Sequence, residues 1–163
     1  MEAKLNDYIK EYKSQLEIGL IPKAYRELIG YVMKLRTHFS NKYADEYIIG
    51  SFYQGYMDIS FFTVTPLSLK KQKLKIAIVF NHEKIHFEIW LTAQNRQLQK
   101  KYWELFKDSD WNKYHIPTSL DGGFSIIDSI LVDNPDFNDL ERLTTQIDEK
   151  VNVFIKDITD ALC

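Results

Sequence analysis

The sequence predicts an α+β domain in which helices pack on one face of an antiparallel sheet of four or five strands. Apolar residues recur at helical spacing near both ends of the chain, and they alternate at every second position in the middle. The alternating segments follow one another through short polar turns. Because short turns join antiparallel neighbours, we expect a meander and the element order α-α-β-β-β-β-α-β-α.

The first two elements are expected to be helices. The spacing of Leu5, Tyr8, Ile9 and Leu16 predicts an amphipathic helix over residues 6–17, which Gly19 ends. A second helix follows, with Pro22 in its first turn and an apolar stripe formed by Ala24, Leu28, Val32, Leu35 and Phe39.

Two strands are predicted next, over residues 47–53 and 56–64, with a turn near Gln54 and Gly55. In the second strand Met57, Ile59 and Phe61 should share one face and Tyr56, Asp58 and Ser60 the other.

The clearest alternation lies in the hairpin over residues 74–91. One face should form the core and contains Leu74, Ile76, Ile78, Phe80, Ile85, Phe87, Ile89 and Leu91. The other contains Lys73, Lys75, Ala77, His86, Glu88 and Trp90. A short turn around Asn81 and His82 favours pairing Phe80 with Glu83 or with Ile85. Either register makes Lys75, Glu88 and Trp90 neighbours.

The rest of the chain predicts a helix from about Gln94-Asn95, a polar loop at 108–123, a fifth strand at 125–132 and a long last helix. The loop is expected to pack through its aromatic residues or to act as a lid. The last helix should begin at a capping box formed by Asn138 and Glu141, and it should extend to Leu162. No repeat or domain boundary is visible, so we expect one domain over residues 1–163.

Composition excludes several classes of function. A net charge of −2 provides no global attraction for nucleic acid or for an anionic membrane. The single cysteine, Cys163, excludes an intramolecular disulfide and a cysteine-based zinc site, which favours a cytoplasmic location. We find neither a signal peptide nor a stretch apolar enough to cross a membrane.

The common catalytic motifs are absent. The chain has no Walker loop, no dinucleotide glycine fingerprint, no HExxH and no GxSxG. Its four histidines are too scattered to indicate a metal centre. We therefore predict neither a metal ion nor a cofactor.

The open sheet face contains the residues that could perform chemistry. Asp58, Lys75 and Glu88 are the candidates for catalysis, since carboxylates, a lysine and the nearby His86 can hold a divalent metal or transfer protons. The structural alternative is a cross-strand ion pair of Lys75 with Glu88, covered by Trp90. The element order also resembles that of PD-(D/E)xK nucleases, but Trp90 stands where that motif requires lysine, so a degenerate relative is the most this analogy supports.

We favour a binding module for a small molecule or a protein, with a metal-assisted hydrolase or degenerate nuclease acting on nucleic acid or nucleotide as the alternative. The candidate ligand-binding residues are Tyr53, Tyr56, His86, Trp90, Asn95, Arg96, Trp111, Tyr114 and His115. The helix and loop that contain the last of these form a basic and aromatic surface, which keeps nucleic acid open as a less favoured partner. The long stripe of the last helix raises a further hypothesis, a homodimer through that helix.

Several segments resemble one known family. They are KLKIAIVFNHEKIHFEIWL at residues 73–91, Asn95, QKKYW at 99–103 and WNKYHIP at 111–117, together with KLRTHF and GYMD upstream. Over nearly the whole chain the sequence is similar to an uncharacterised bacterial family of domains of unknown function. The resemblance implies a small intracellular single-domain protein, and it implies no activity or catalytic residue.

Overall fold

A computed structural model describes residues 2–163, which form five helices and a five-stranded antiparallel sheet. The elements are α1 (Leu5–Ile18), α2 (Leu20–Lys42), β1 (Tyr47–Ile49), β2 (Ile59–Pro66), α3 (Leu67–Lys71), β3 (Leu74–Asn81), β4 (His86–Ala93), α4 (Arg96–Lys107), β5 (Ser125–Val132) and α5 (Leu140–Leu162). The strands lie side by side in chain order. The predicted α+β class and element order are confirmed, with the short α3 as an addition.

The core lies between one face of the sheet and the two long helices α2 and α5. From the sheet it takes the alternating residues of β3 and β4, such as Ile76, Ile78 and Ile89, which are almost fully buried. From the helices it takes stripes at helical spacing: Leu35 and Phe39 of α2, and Leu143, Ile147, Val151, Phe154 and Ile158 of α5. The α5 stripe that prompted the dimer hypothesis is therefore occupied by the chain's own core.

The first helix contributes nothing to this core. The amphipathic pattern predicted for it does form a helix, but none of its residues is buried, and its apolar side chains remain exposed. Within residues 2–163, no helix is both long and apolar enough to span a bilayer.

The β3–β4 register differs from both predicted alternatives. Phe80 pairs with Phe87, because Ile85 adopts a left-handed φ of 50° and belongs to the turn. Ile85 is consequently 46% exposed and not part of the core face. Lys75 then lies opposite Thr92, while Glu88 lies opposite Val79. Glu88 is four residues, or about 13 Å, further along the ladder than Lys75. The prediction that these two residues are neighbours is therefore wrong.

The second strand faces the opposite way from the prediction. Ser60 pairs with Phe80 and is fully buried, so Ser60, Phe62 and Val64 point to the core. Ile59, Phe61 and Thr63 therefore occupy the open face, where the sequence predicts Asp58 and Ser60. The reversal follows from the connection between β1 and β2, which is a loop over residues 50–58 rather than a tight hairpin.

The N-terminal caps of α4 and α5 can be compared with the capping residues that the sequence indicates. The helix α4 begins where the sequence predicts, next to Gln94 and Asn95, and Asn95 caps it, its side chain accepting a hydrogen bond from the amide of Leu98 at 2.9 Å. The cap of α5 is Asp139 rather than the predicted Asn138, and its carboxylate accepts from the amide of Arg142. Asn and Asp both suit the N-cap position, so the sequence does not determine which of the two residues caps the helix. The path of the chain into the helix decides it.

Candidate functional site

The open face of the sheet contains a pocket with a volume of about 570 Å³, within the range typical of small-molecule sites. Its floor is a row of side chains from three adjacent strands, in which Thr63 of β2 lies opposite Ala77 of β3 and Ala77 lies opposite Trp90 of β4. Because the methyl group of Ala77 fills little space beside the indole of Trp90, a depression forms between them.

Two irregular segments build the walls. On one side the loop over residues 50–58 curves back to the sheet, where Tyr53 and Phe61 exchange two backbone hydrogen bonds of 2.8 and 2.9 Å. Their rings lie 4.9 Å apart. On the other side stand the N-terminus of α4, with Asn95, Arg96 and Gln99, and the exposed ring of Phe124.

The α4 wall is tied to the glycine segment before β5. Arg96 Nη1 donates to the carbonyl of Gly123 and, at 2.9 Å, to the side-chain oxygen of Gln99. Gln99 Nε2 donates to the same Gly123 carbonyl at 3.1 Å. The guanidinium also lies over the Phe124 ring at 5.1 Å from its centre. These contacts hold Arg96 at the pocket rim.

The pocket has a positive end. Lys75 and Arg96 both line it, and within residues 2–163 neither forms an ion pair with a carboxylate. Both lie toward the same end of the sheet, since Lys75 and Ser125 each pair with Thr92, and Arg96 contacts Gly123 and Phe124, which directly precede Ser125. Two cations without an acidic partner attract an anionic group.

Asp58 stands at the opposite end of the pocket. Asp58 directly precedes Ile59, and Ile59 pairs with Asn81 of β3. Asn81 lies six residues along β3 from Lys75, a distance of about 20 Å. Hydrogen bonds from the backbone amides of Tyr56 and Ile59 lower the pKa of this carboxyl group. The carboxylate therefore stays ionised and also shapes the loop, where Met57 has a φ of 63°.

Glu88 belongs to a polar cluster next to the pocket and does not line it. Its Oε2 accepts hydrogen bonds of 3.0 Å from Asn81 and from His86, and its Oε1 accepts one of 3.3 Å from the Trp90 indole. The predicted ion pair with Lys75 is absent from the described residues, because the register separates the two. The Glu88 carboxylate instead orients Trp90 at the floor of the pocket.

The predicted catalytic group is thus divided between two places. Asp58 and Lys75 line the pocket at opposite ends, and Glu88 lies outside its lining. No group of three His, Cys, Asp or Glu side chains in residues 2–163 is arranged to hold a metal ion.

The remaining predicted ligand-binding residues divide in the same way. Tyr53, Trp90, Asn95 and Arg96 line the pocket, whereas Tyr56 is 89% exposed outside it. Trp111 and Tyr114 pack the 108–123 loop against the core, with the Trp111 ring 5.0 Å from Phe106 and the Tyr114 ring 4.8 Å from Phe154. His115 lies in a separate, more open depression and contacts Asp128 at 2.9 Å.

The sequence reasoning missed several lining residues. Phe61 and Thr63 were missed because the faces of β2 were reversed, and Phe124 has no periodic context that would indicate its position. Ala77 had been placed on the correct face. The presence of alanine at position 77, between larger side chains on this face, was the signal in the sequence that could have predicted a depression.

A serine and a histidine also meet beside the pocket. Ser60 Oγ donates to the Gln54 carbonyl at 2.5 Å and lies 2.8 Å from His82 Nε2. Since a hydroxyl has one proton to donate, His82 must donate to Ser60 and cannot act as its base. With Ser60 fully buried, this contact is structural.

A second polar cluster surrounds Asp148 of α5, whose side chain is 8% exposed. Its carboxylate receives hydrogen bonds from His38 at 2.6 Å, Tyr43 at 2.6 Å and Lys42 at 3.1 Å, and Asn152 adds another at 2.9 Å. Burial by itself would raise the pKa of Asp148, but the hydrogen bonds from Tyr43, His38 and Lys42 hold it below its usual range. This cluster joins α2 to α5.

The protein is thus an α+β domain whose core lies on one face of the sheet, against α2 and α5. Its open sheet face contains a cavity of the size of a small-molecule site. Comparison with protein families matches the domain of unknown function DUF7000 over residues 5–162, and the chain belongs to that family. No curated protein and no solved structure matches the chain.

Proposed function

We propose that the protein is a binding module that holds a small molecule in the pocket above Ala77. The observation that supports this most directly is the composition of the lining, which combines aromatic side chains with a few polar and charged groups at defined ends. Ligand sites in proteins have this composition, with apolar surface for contact and a few polar groups for orientation.

The shape favours a small molecule over a protein. A protein partner usually needs about 800 Å² of buried surface on each side. Here the aromatic groups point into a concavity enclosed by the 50–58 loop and by α4, so a compact ligand can contact Trp90, Tyr53 and Phe61 together. We further propose a cytoplasmic location, since the one cysteine is an exposed free thiol that suits a reducing compartment.

A steric block tests this function. A library of soluble metabolites is screened by ligand-observed NMR against the wild-type protein and against Ala77→Leu, which places a branched side chain in the middle of the pocket floor. Compounds that bind the wild type should lose most of their affinity for Ala77→Leu. Circular dichroism and thermal unfolding establish that the variant is folded.

The chain offers a matched pair of tyrosines as a control. Tyr53→Ala removes a lining ring, while Tyr56→Ala removes an exposed ring of the same loop that lies outside the pocket. We expect Tyr53→Ala to weaken binding by about tenfold, the value of one lost aromatic contact, and Tyr56→Ala to leave it unchanged. Hits that bind wild type, Ala77→Leu and Tyr53→Ala equally would show that the pocket is not the site.

A further inference from the structure

We infer that the ligand is a planar aromatic molecule with one anionic group, a carboxylate or a monophosphate, bound at the end of the pocket formed by Lys75 and Arg96. This inference rests on the proposed function and specifies the chemistry of its ligand. It follows from three properties of the pocket: the position of its rings, the position of its cations and the position of its one acidic group.

The rings lie in the middle of the pocket. Trp90 Nε1 donates to Glu88, which fixes the indole with its N–H directed away from Lys75. Tyr53 and Phe61 stand across the floor from it, on the β2 side. An aromatic ligand can stack between these groups, and such contacts are favourable beyond the burial of area.

The two cations lie at one end of the pocket, and Arg96 is preorganised there. Arg96 is held by Gln99 and Gly123, so little side-chain entropy is lost when it contacts an anion. Lys75 is free to move, since its amino group has no hydrogen-bond or ion-pair partner in the described part of the chain. A planar guanidinium beside a mobile ammonium suits a carboxylate or a phosphate.

The acidic end sets the orientation. Asp58 would repel a second anionic group and would favour a ring N–H or an amino group on the side of the ligand that faces it. The ligand should therefore carry its negative charge at one end only, with the ring and its donors directed toward Asp58.

Paired probes test the charge requirement. Isothermal titration calorimetry compares adenosine monophosphate with adenosine, and indole-3-acetate with indole-3-acetamide, on the wild-type protein at pH 7.5. Each anion should bind at least about tenfold more tightly than its neutral partner, because a charge-assisted contact is made only by the anion. The two pairs also distinguish the phosphate from the carboxylate. Binding should weaken as salt is added.

Variants assign the charges responsible. Lys75→Gln and Arg96→Gln should each remove most of the preference for the anion. Lys84→Gln is the matched control, because it lowers the net charge equally in the β3–β4 turn, outside the pocket. Retention of the anion preference in both Lys75→Gln and Arg96→Gln would overturn the inference.

The outcomes separate this inference from the proposed function. If the neutral probes bind as tightly as the anions and Ala77→Leu blocks both, the pocket binds ligands but the charge assignment is wrong. If no anionic probe binds, the assignment of aromatic carboxylates and monophosphates is overturned, and the metabolite screen decides on the pocket independently. An anion preference that survives Ala77→Leu would place anion binding elsewhere and overturn the inference.

Discussion

Ala77 lies directly opposite Trp90 in the ladder between β3 and β4, on the face of the sheet that α2 and α5 do not cover. The pairing of the smallest side chain on this face with the largest produces the pocket floor. Ala77 lines this floor and is itself only 3% exposed.

The first prediction concerns the space above Ala77. We expect Ala77→Leu to change the free energy of unfolding by less than about 1 kcal/mol, because the added carbons enter the pocket. The control is Val79→Phe, one row along the same face, where the residue is fully buried and does not line the pocket. Overpacking there should cost about 1–3 kcal/mol. Urea unfolding measures both, and equal losses would contradict a void above Ala77.

A second prediction concerns the turn that sets the register. Ile85 has a φ of 50°, a conformation that costs a residue with a side chain about 1 kcal/mol and costs glycine little. We therefore expect Ile85→Gly to be more stable than Ile85→Ala by about 1 kcal/mol, or roughly 2–4 °C in Tm. Both variants remove the isoleucine side chain, so their difference isolates the backbone. Differential scanning calorimetry gives the comparison, and an alanine variant as stable as the glycine variant would refute the strain.

The third prediction concerns the Asp148 cluster. Asp148→Ala leaves His38, Lys42 and Tyr43 without their shared acceptor, and we expect a loss of about 3 kcal/mol in the free energy of unfolding. Asp160→Ala is the control on the same helix, where the aspartate is exposed and pairs with Lys156 at the surface. That variant should change stability by no more than about 0.5 kcal/mol. Similar losses in the two would mean that the cluster does not stabilise the α2–α5 contact.

The same cluster predicts an acid dependence with a definite sign. The pKa of Asp148 is lower in the folded protein than the value of about 3.9 in an unfolded chain. Its stabilisation is then complete above about pH 4 and is lost as the pH falls through the folded pKa. The stability difference between wild type and Asp148→Asn should shrink as the pH falls below about 4. A difference that grows below pH 4 would contradict this assignment.

The fourth prediction concerns His82. Burial lowers the pKa of this imidazole, and the partly opposing charge of Asp58 does not restore it. His82 in the unfolded chain therefore binds a proton more readily than in the folded protein, with a pKa near 6.5. The contribution of neutral His82 to stability is complete above that pH, and it is lost as the pH falls through the pKa of the folded state. NMR titration of the ring should give a pKa below 6.5. His82→Gln should flatten the fall in stability between pH 7 and 5, and an unchanged slope would exclude His82 as its origin.

The local periods of the sequence determined much of the fold. Alternation in β3 and β4 assigned Ile76, Ile78 and Ile89 to the core correctly, and helical spacing did the same for Val151 and Phe154 of α5, because side-chain direction follows from backbone geometry alone. For the same reason Lys75, Ala77 and Trp90 were placed together on the open face.

Only the tertiary structure decided how these faces meet. One residue in left-handed conformation, Ile85, moved the ladder to the next register and separated Lys75 from Glu88. The 50–58 loop reversed the faces of β2 and brought Phe61 and Thr63 into the pocket. Arg96 met Phe124 through a contact between residues 28 positions apart along the chain. Register and loop paths depend on which arrangement buries the most apolar surface, a property of the whole chain that no local period contains.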